Sequence, residues 1–121
     1  MLAIQSMYIE KGRKSEFKKW VAKNISKFRE FYGPLGWDLK GIYTVSNNLG
    51  QYDVIWIWEF ERYGDIDTVD KVSDSSIEKL LDEEYDFYMP GPANTSIYEE
   101  IKGGWIDSPA RSKRTKNQAR A

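Results

Sequence analysis

The chain has 121 residues, 40% of them hydrophobic and 31% charged, with no cysteine and no histidine. That is the length of one domain, enough to bury a core without disulfide or metal staples. The double absence excludes thiolate nucleophiles, Cys/His zinc sites, Ser-His-Asp and Cys-His triads and His or Cys haem ligation. Any catalysis must rest on Asp, Glu, Lys, Arg, Tyr, Ser or Thr, or on a bound cofactor, and a metal site would need carboxylates alone.

The net charge of −1 is unevenly spread. Arg111, Lys113, Arg114, Lys116 and Arg120 fall in the last eleven residues, where there is no acid. The first 110 residues therefore hold 13 basic against 19 acidic groups, a net charge of about −6. An acidic body with a basic end argues against a nucleic-acid-binding fold, whose basic patch lies on the domain itself. The tail reads as a flexible, solubilising end, able to touch an acidic surface only weakly. No apolar run approaches the roughly 20 residues of a membrane span. The start, Met1–Ser6, lacks a basic segment followed by a long apolar one, so the expectation is a cytoplasmic protein.

In chain order, Leu2 to Ile9 alternates as a strand with both faces largely apolar. From Ser15 to Tyr32, Phe17, Trp20, Val21, Ile25, Phe28 and Tyr32 recur at helical spacing, with lysines 18, 19, 23 and 27 on the wet side. Gly33-Pro34 ends that helix, with a left-handed cap expected at Gly33. Trp37 to Val45 is a second strand, with Trp37, Leu39, Gly41, Tyr43 and Val45 on one face by alternation. Ser46–Gly50 is a turn cluster. Gln51 to Glu61 is a third strand, with Tyr52, Val54, Trp56, Trp58 and Phe60 on one face and Ile55 and Ile57 on the other. A short helix is expected over Gly64–Val72. A stronger one begins at Ser75 through an S-x-x-E capping box with Glu78 and runs to Tyr88. Met89-Pro90-Gly91-Pro92 stops it, and Thr95 to Ile101 is the last strand.

The order β-α-β-β-α-β predicts an α+β, ferredoxin-like domain over residues 1–103, followed by the basic tail at 104–121. Right-handed crossovers place both helices on one face of a four-stranded antiparallel sheet. The opposite face is then apolar and uncovered, which predicts a homodimer through the sheet.

The layout, the Gly12…Phe17…Trp20 start of the first helix and the stretch Asn48–Phe60 resemble the dimeric α/β-barrel superfamily. Within it the chain is similar to NIPSNAP-type and antibiotic-biosynthesis-monooxygenase-like domains, over roughly residues 1 to 102. The resemblance implies a fold. Its members include cofactor-free monooxygenases of polyketide quinones, haem-degrading enzymes, lactone isomerases and proteins without known activity. The absence of histidine puts the haem branches that use an axial histidine in doubt for this chain.

Five tryptophans and eight tyrosines are the main chemical feature. They either fill the core or wall an aromatic pocket between sheet and helices, where the resemblance implies that ligands bind. Tyr8, Trp20, Tyr43, Trp56 and Trp58 are the candidate ligand-binding residues. Glu59 and Tyr43 are the candidate catalytic ones, and Glu59 suits proton transfer only if it is buried. Asp53 and Glu61 are strand-end acids with ordinary solvated roles, and of Glu99 and Glu100 on the last strand one faces inward by alternation, under the same condition of burial as Glu59. Asp82-Glu83-Glu84 with Asp86 reads as the wet face of a helix, with a divalent-cation site as the alternative. No cofactor or metal is expected. Two functions stay open: binding of a small apolar or aromatic ligand, with cofactor-independent oxygenation or isomerisation as its chemistry, or a non-enzymatic structural or protein-interaction module.

Overall fold

Alternation of apolar side chains around Trp56 sets the layout of the molecule. Val54, Trp56, Trp58 and Phe60 are all buried, whereas Ile55 and Ile57 are half-buried on the opposite side. A computed structural model of the chain describes residues 1–45, 51–72, 74–91 and 93–104. Its strands are β1 (Leu2–Met7), β2 (Asp38–Thr44), β3 (Val54–Glu59) and β4 (Asn94–Tyr98). Its helices are α1 (Lys14–Tyr32), α2 (Gly64–Lys71) and α3 (Ser75–Asp86), with a 3-10 turn over Gly33–Leu35. The strands form one sheet in the order β2-β3-β1-β4, and every neighbouring pair is antiparallel. This is the ferredoxin-like arrangement, with α2 as an added short helix ahead of α3. The turn predicted at Ser46–Gly50 and the basic tail from Trp105 onward lie outside the described residues.

Pairing fixes which side chains share a face. Ala3, Gln5 and Met7 stand opposite Trp58, Trp56 and Val54, and so point to the helices. Leu2, Ile4 and Ser6 stand opposite Glu59, Ile57 and Ile55 on the uncovered side. In β2 the register shifts between Leu39 and Gly41. This irregularity sets Lys40 as an extra residue and defeats simple alternation. Leu39 pairs with Trp58 and is buried, but Gly41 and Tyr43 pair with Ile57 and Ile55. The face predicted for Leu39, Gly41 and Tyr43 together is therefore split. A side chain at Gly41 would run into the Tyr43 ring, 2.8 Å away.

The core is aromatic. Phe28 of α1 meets Trp56 edge to face at 5.1 Å, and Trp37 stacks on Phe60 at 4.7 Å. Each such buried ring contributes about 1.5–3 kcal/mol of transfer free energy. The buried face of α1 is Phe17, Asn24 and Phe28; Asn24 turns its amide back to the Trp20 carbonyl at 2.9 Å, which lets a polar side chain sit inside.

Two helix ends differ from expectation. The left-handed cap is Gly36 (φ 92°) after the 3-10 turn, since Gly33 is still right-handed (φ −54°). A Cβ at Gly36 would also press on the Asp65 carboxyl at 3.2 Å, so both conformation and space call for glycine. The cap of α3 is Asp74, whose carboxylate accepts from the Ser76 N–H at 2.8 Å and the Ser76 hydroxyl at 2.7 Å. Those bonds lower the pKa of Asp74. Ser75 is the first helical residue and not the cap, because the carboxylate one position earlier takes the free amide.

Candidate functional site

Between the helix-facing side of the sheet and α2–α3 lies a cleft of about 1070 Å³. Trp56 and Trp58 form its floor, their indoles stacked 13° from parallel with centroids 6.1 Å apart. Both indole N–H groups are used from within: Trp58 donates to Gln5 Oε1 at 3.0 Å and Trp56 donates to the Tyr88 hydroxyl at 3.0 Å. Tyr32 of α1 meets the edge of Trp58 at 5.1 Å, and Ile77 and Leu81 of α3 close the apolar wall. Among the described residues no lysine or arginine lines the cleft.

The polar end is built from α3 and the chain just after it. Glu84 stands in the last turn of α3 and Tyr88 two residues past its end, and the Tyr88 hydroxyl donates to Glu84 Oε2. The backbone behind Tyr88 is held by an isolated bridge to Ile9. Met89 N–H donates to the Tyr8 carbonyl at 2.9 Å, and Glu10 N–H donates to the Phe87 carbonyl at 2.9 Å. Arg13 braces the same corner. It donates to the Asp86 carbonyl at 2.6 Å, pairs with Asp86 and Glu16, and lies 4.3 Å over the Phe87 ring. Tyr88 thus bridges sheet and helix through Trp56 and Glu84.

Glu84 is only 6% exposed. Burial pushes its carboxyl up to about 7, against the opposing pull of the hydrogen bond from Tyr88. Burial also pushes Tyr32 up to about 12, with Tyr85 and Glu84 adding to the rise. Tyr88 is raised in the same direction, by burial first and by Glu84 second. Tyr32 and Tyr88 therefore stay protonated at neutral pH, whereas Glu84 changes charge near it.

No protein-family model matches the sequence, and no curated protein matches it. Among solved structures, the chain is similar to an uncharacterized NIPSNAP domain protein from Burkholderia xenovorans. The TM-score is 0.62 at 16% identity, over 82% of this chain and 95% of that one. The chain has a NIPSNAP-like, ferredoxin-like fold. At this identity the likeness is one of architecture.

Within the NIPSNAP-like fold the residues singled out by sequence separate into three places. Tyr8, Trp56 and Trp58 line the cleft, Tyr8 also packing on Tyr52 with ring centroids 4.9 Å apart. Trp20 does not: it sits between α1 and α3, stacked near Phe17 and donating its N–H to Glu83 at 2.9 Å. Tyr43 and Glu59 lie on the uncovered side of the sheet. Tyr43 is 55% exposed, and Glu59 is exposed beside Lys40 at 3.7 Å. The condition for proton transfer at Glu59, burial, is not met. Asp53 holds the chain after β1 by accepting from the Ile9 N–H at 2.9 Å, and Glu99 accepts from the Tyr63 hydroxyl.

Sequence reasoning missed Glu84, which was grouped with the wet face of its helix. The signal was present: Ile77, Leu80, Leu81, Glu84 and Tyr88 fall on one 3-and-4-spaced stripe, and Glu84 lies on it. Among the described residues no group of three or more acids comes together to hold a metal ion, and no helix is long and apolar enough to cross a membrane.

Proposed function

We propose that the cleft binds a small apolar or aromatic molecule, laid on Trp56 and Trp58 with its polar end toward Glu84 and Tyr88. The observation that carries this reading is the cleft itself: an aromatic floor, aliphatic walls and one buried carboxyl at one end. Ligand sites of this kind combine an apolar lining with few, well-held polar groups. The cofactor-independent oxygenation or isomerisation implied by the resemblance would require a group able to take a proton from the ligand. Glu84 is that group, in place of Glu59 and Tyr43. Isothermal titration of the full chain with 2-naphthylmethanol should saturate at one molecule per chain. The indole N–H resonances of Trp56 and Trp58 should move while that of Trp20 stays. Absence of saturation by any naphthyl probe, or movement at Trp20 alone, would overturn the assignment.

We further propose that the chain works as a homodimer through the uncovered sheet face. Ile4, Ile55 and Ile57 are only half-buried there, beside the exposed rings of Tyr43 and Tyr98. Native mass spectrometry should give twice the chain mass, and Ile57→Lys should give a monomer that still binds the probe. A monomeric parent protein would refute this. A dimer that binds no probe would favour the alternative function, a protein-interaction module of NIPSNAP type.

A further inference from the structure

Among the described residues, the charged groups that line the cleft are acidic. They are Glu84, surrounded by rings, and Glu78 earlier on α3. The titratable groups around Glu84 are Tyr88, which donates to it, Tyr85 on its own helix and Tyr32 from α1, all uncharged at neutral pH. To the rest of the cleft lining the sheet contributes Trp56, Trp58 and Gln5, and α2 contributes apolar side chains. Among the described residues no ion pair reaches Glu84.

We propose that the ligand of this cleft is an organic cation, an alkyl- or arylammonium whose N–H donates to Glu84 while its apolar part lies on Trp56 and Trp58. The proposal rests on the reading of the cleft as a ligand site and names the chemistry of what enters it. A buried carboxylate without a positive partner is costly, and an incoming ammonium removes that cost. An ionised carboxylate only accepts hydrogen bonds and has about four lone-pair positions, so Tyr88 leaves it acceptor capacity. The faces of indole and phenol rings attract a cation further. An anionic ligand would meet acidic groups and, among the described residues, find no lysine or arginine. A neutral one leaves Glu84 holding its proton.

A linked pH dependence follows. Glu84 holds its proton up to about pH 7 when the cleft is empty. Pairing with an ammonium, which stays charged through this range, favours the ionised form. Binding then releases protons near neutrality and tightens as the pH rises from 6 to 8.

The experiment uses the full chain and three probes with one ring system: 2-naphthylmethylammonium, 2-naphthylmethanol and 2-naphthoate. Calorimetric titration at pH 8 should show the ammonium bound about tenfold or more tighter than the alcohol, with the carboxylate weakest. The ammonium alone should gain affinity from pH 6 to pH 8, with proton release seen as a dependence of the heat on buffer. Glu84→Gln keeps the side-chain shape and should cancel both the preference and its pH dependence. Equal binding of the three probes by the parent protein would overturn the cation assignment and leave the cleft reading intact. A preference that survives Glu84→Gln would overturn the role of Glu84. No saturable binding by any probe would overturn both readings.

Discussion

Trp56→Ala is expected to lower the unfolding free energy by about 3–5 kcal/mol, the range for removing a large aromatic side chain from a packed core. The indole is 1% exposed, meets Phe28 edge to face and stacks beside Trp58. Its loss opens a void under α1 that those rings cannot close without leaving their rotamers. It also removes the donor to Tyr88, so one bond of the Trp56–Tyr88–Glu84 chain goes with it. Against a total stability of about 5–15 kcal/mol for a domain of this kind, the variant should sit near its unfolding midpoint in mild urea. Trp56→Phe retains the packing and should cost less. A loss for Trp56→Ala below about 1 kcal/mol in urea titration at pH 7 would mean that the indole is not a core element.

Glu84→Gln should act in the opposite direction, and only above acid pH. The folded carboxyl titrates at about 7 against an ordinary value of 4.5. Between those values the folded state binds the proton more strongly than the unfolded chain does. Stability is therefore full below about pH 4.5 and falls as the pH rises to 7, beyond which it is level. The whole drop is about 3 kcal/mol, each tenfold difference in proton affinity between the two states contributing about 1.36 kcal/mol. Glutamine is neutral at every pH and its carbonyl can still accept from Tyr88. The variant should match the parent near pH 4.5 and exceed it by about 3 kcal/mol at pH 8, on the order of 10 °C in melting temperature. Parallel stability curves for the two proteins from pH 4 to 8 would show that Glu84 does not carry the burial assigned to it.

The two predictions also mark what the sequence disclosed and what it concealed. That Val54, Trp56, Trp58 and Phe60 share one face of β3 was legible from alternation, but which face meets the helices was not, because Ile55 and Ile57 opposite are apolar as well. The element order followed from glycine and proline breaks, and with it the sheet topology. Tyr43 was assigned to the wrong face because one extra residue at Lys40 inverts the side of everything after it, and no composition signal marks such an irregularity. Glu59 was raised as a proton carrier from its place at a strand end, but its environment depends on pairing with Lys40, which is a tertiary fact. Glu84 was hidden by its neighbours. In a run of acids the eye reads charge, whereas the 3.6-residue period places one of them inside. Trp20 shows the limit from the other side. Helical spacing correctly turned it inward, but which inward surface it meets is decided by the packing of α1 on α3.

On the proposed reading of the cleft as a cation site, the corner where Phe87, Tyr88 and Met89 are laced to Tyr8, Ile9 and Glu10 has a consequence for selectivity. The acceptor and the phenol beside it hang from backbone that is already immobilised when the cleft is empty. The entropy of fixing them is lost during folding and not during association, so little reorganisation attends capture of a guest. A site prepared in this way measures distance. A guest whose cationic head is one methylene further from its ring meets an acceptor that does not shift to reach it, and is discriminated by length as well as by charge.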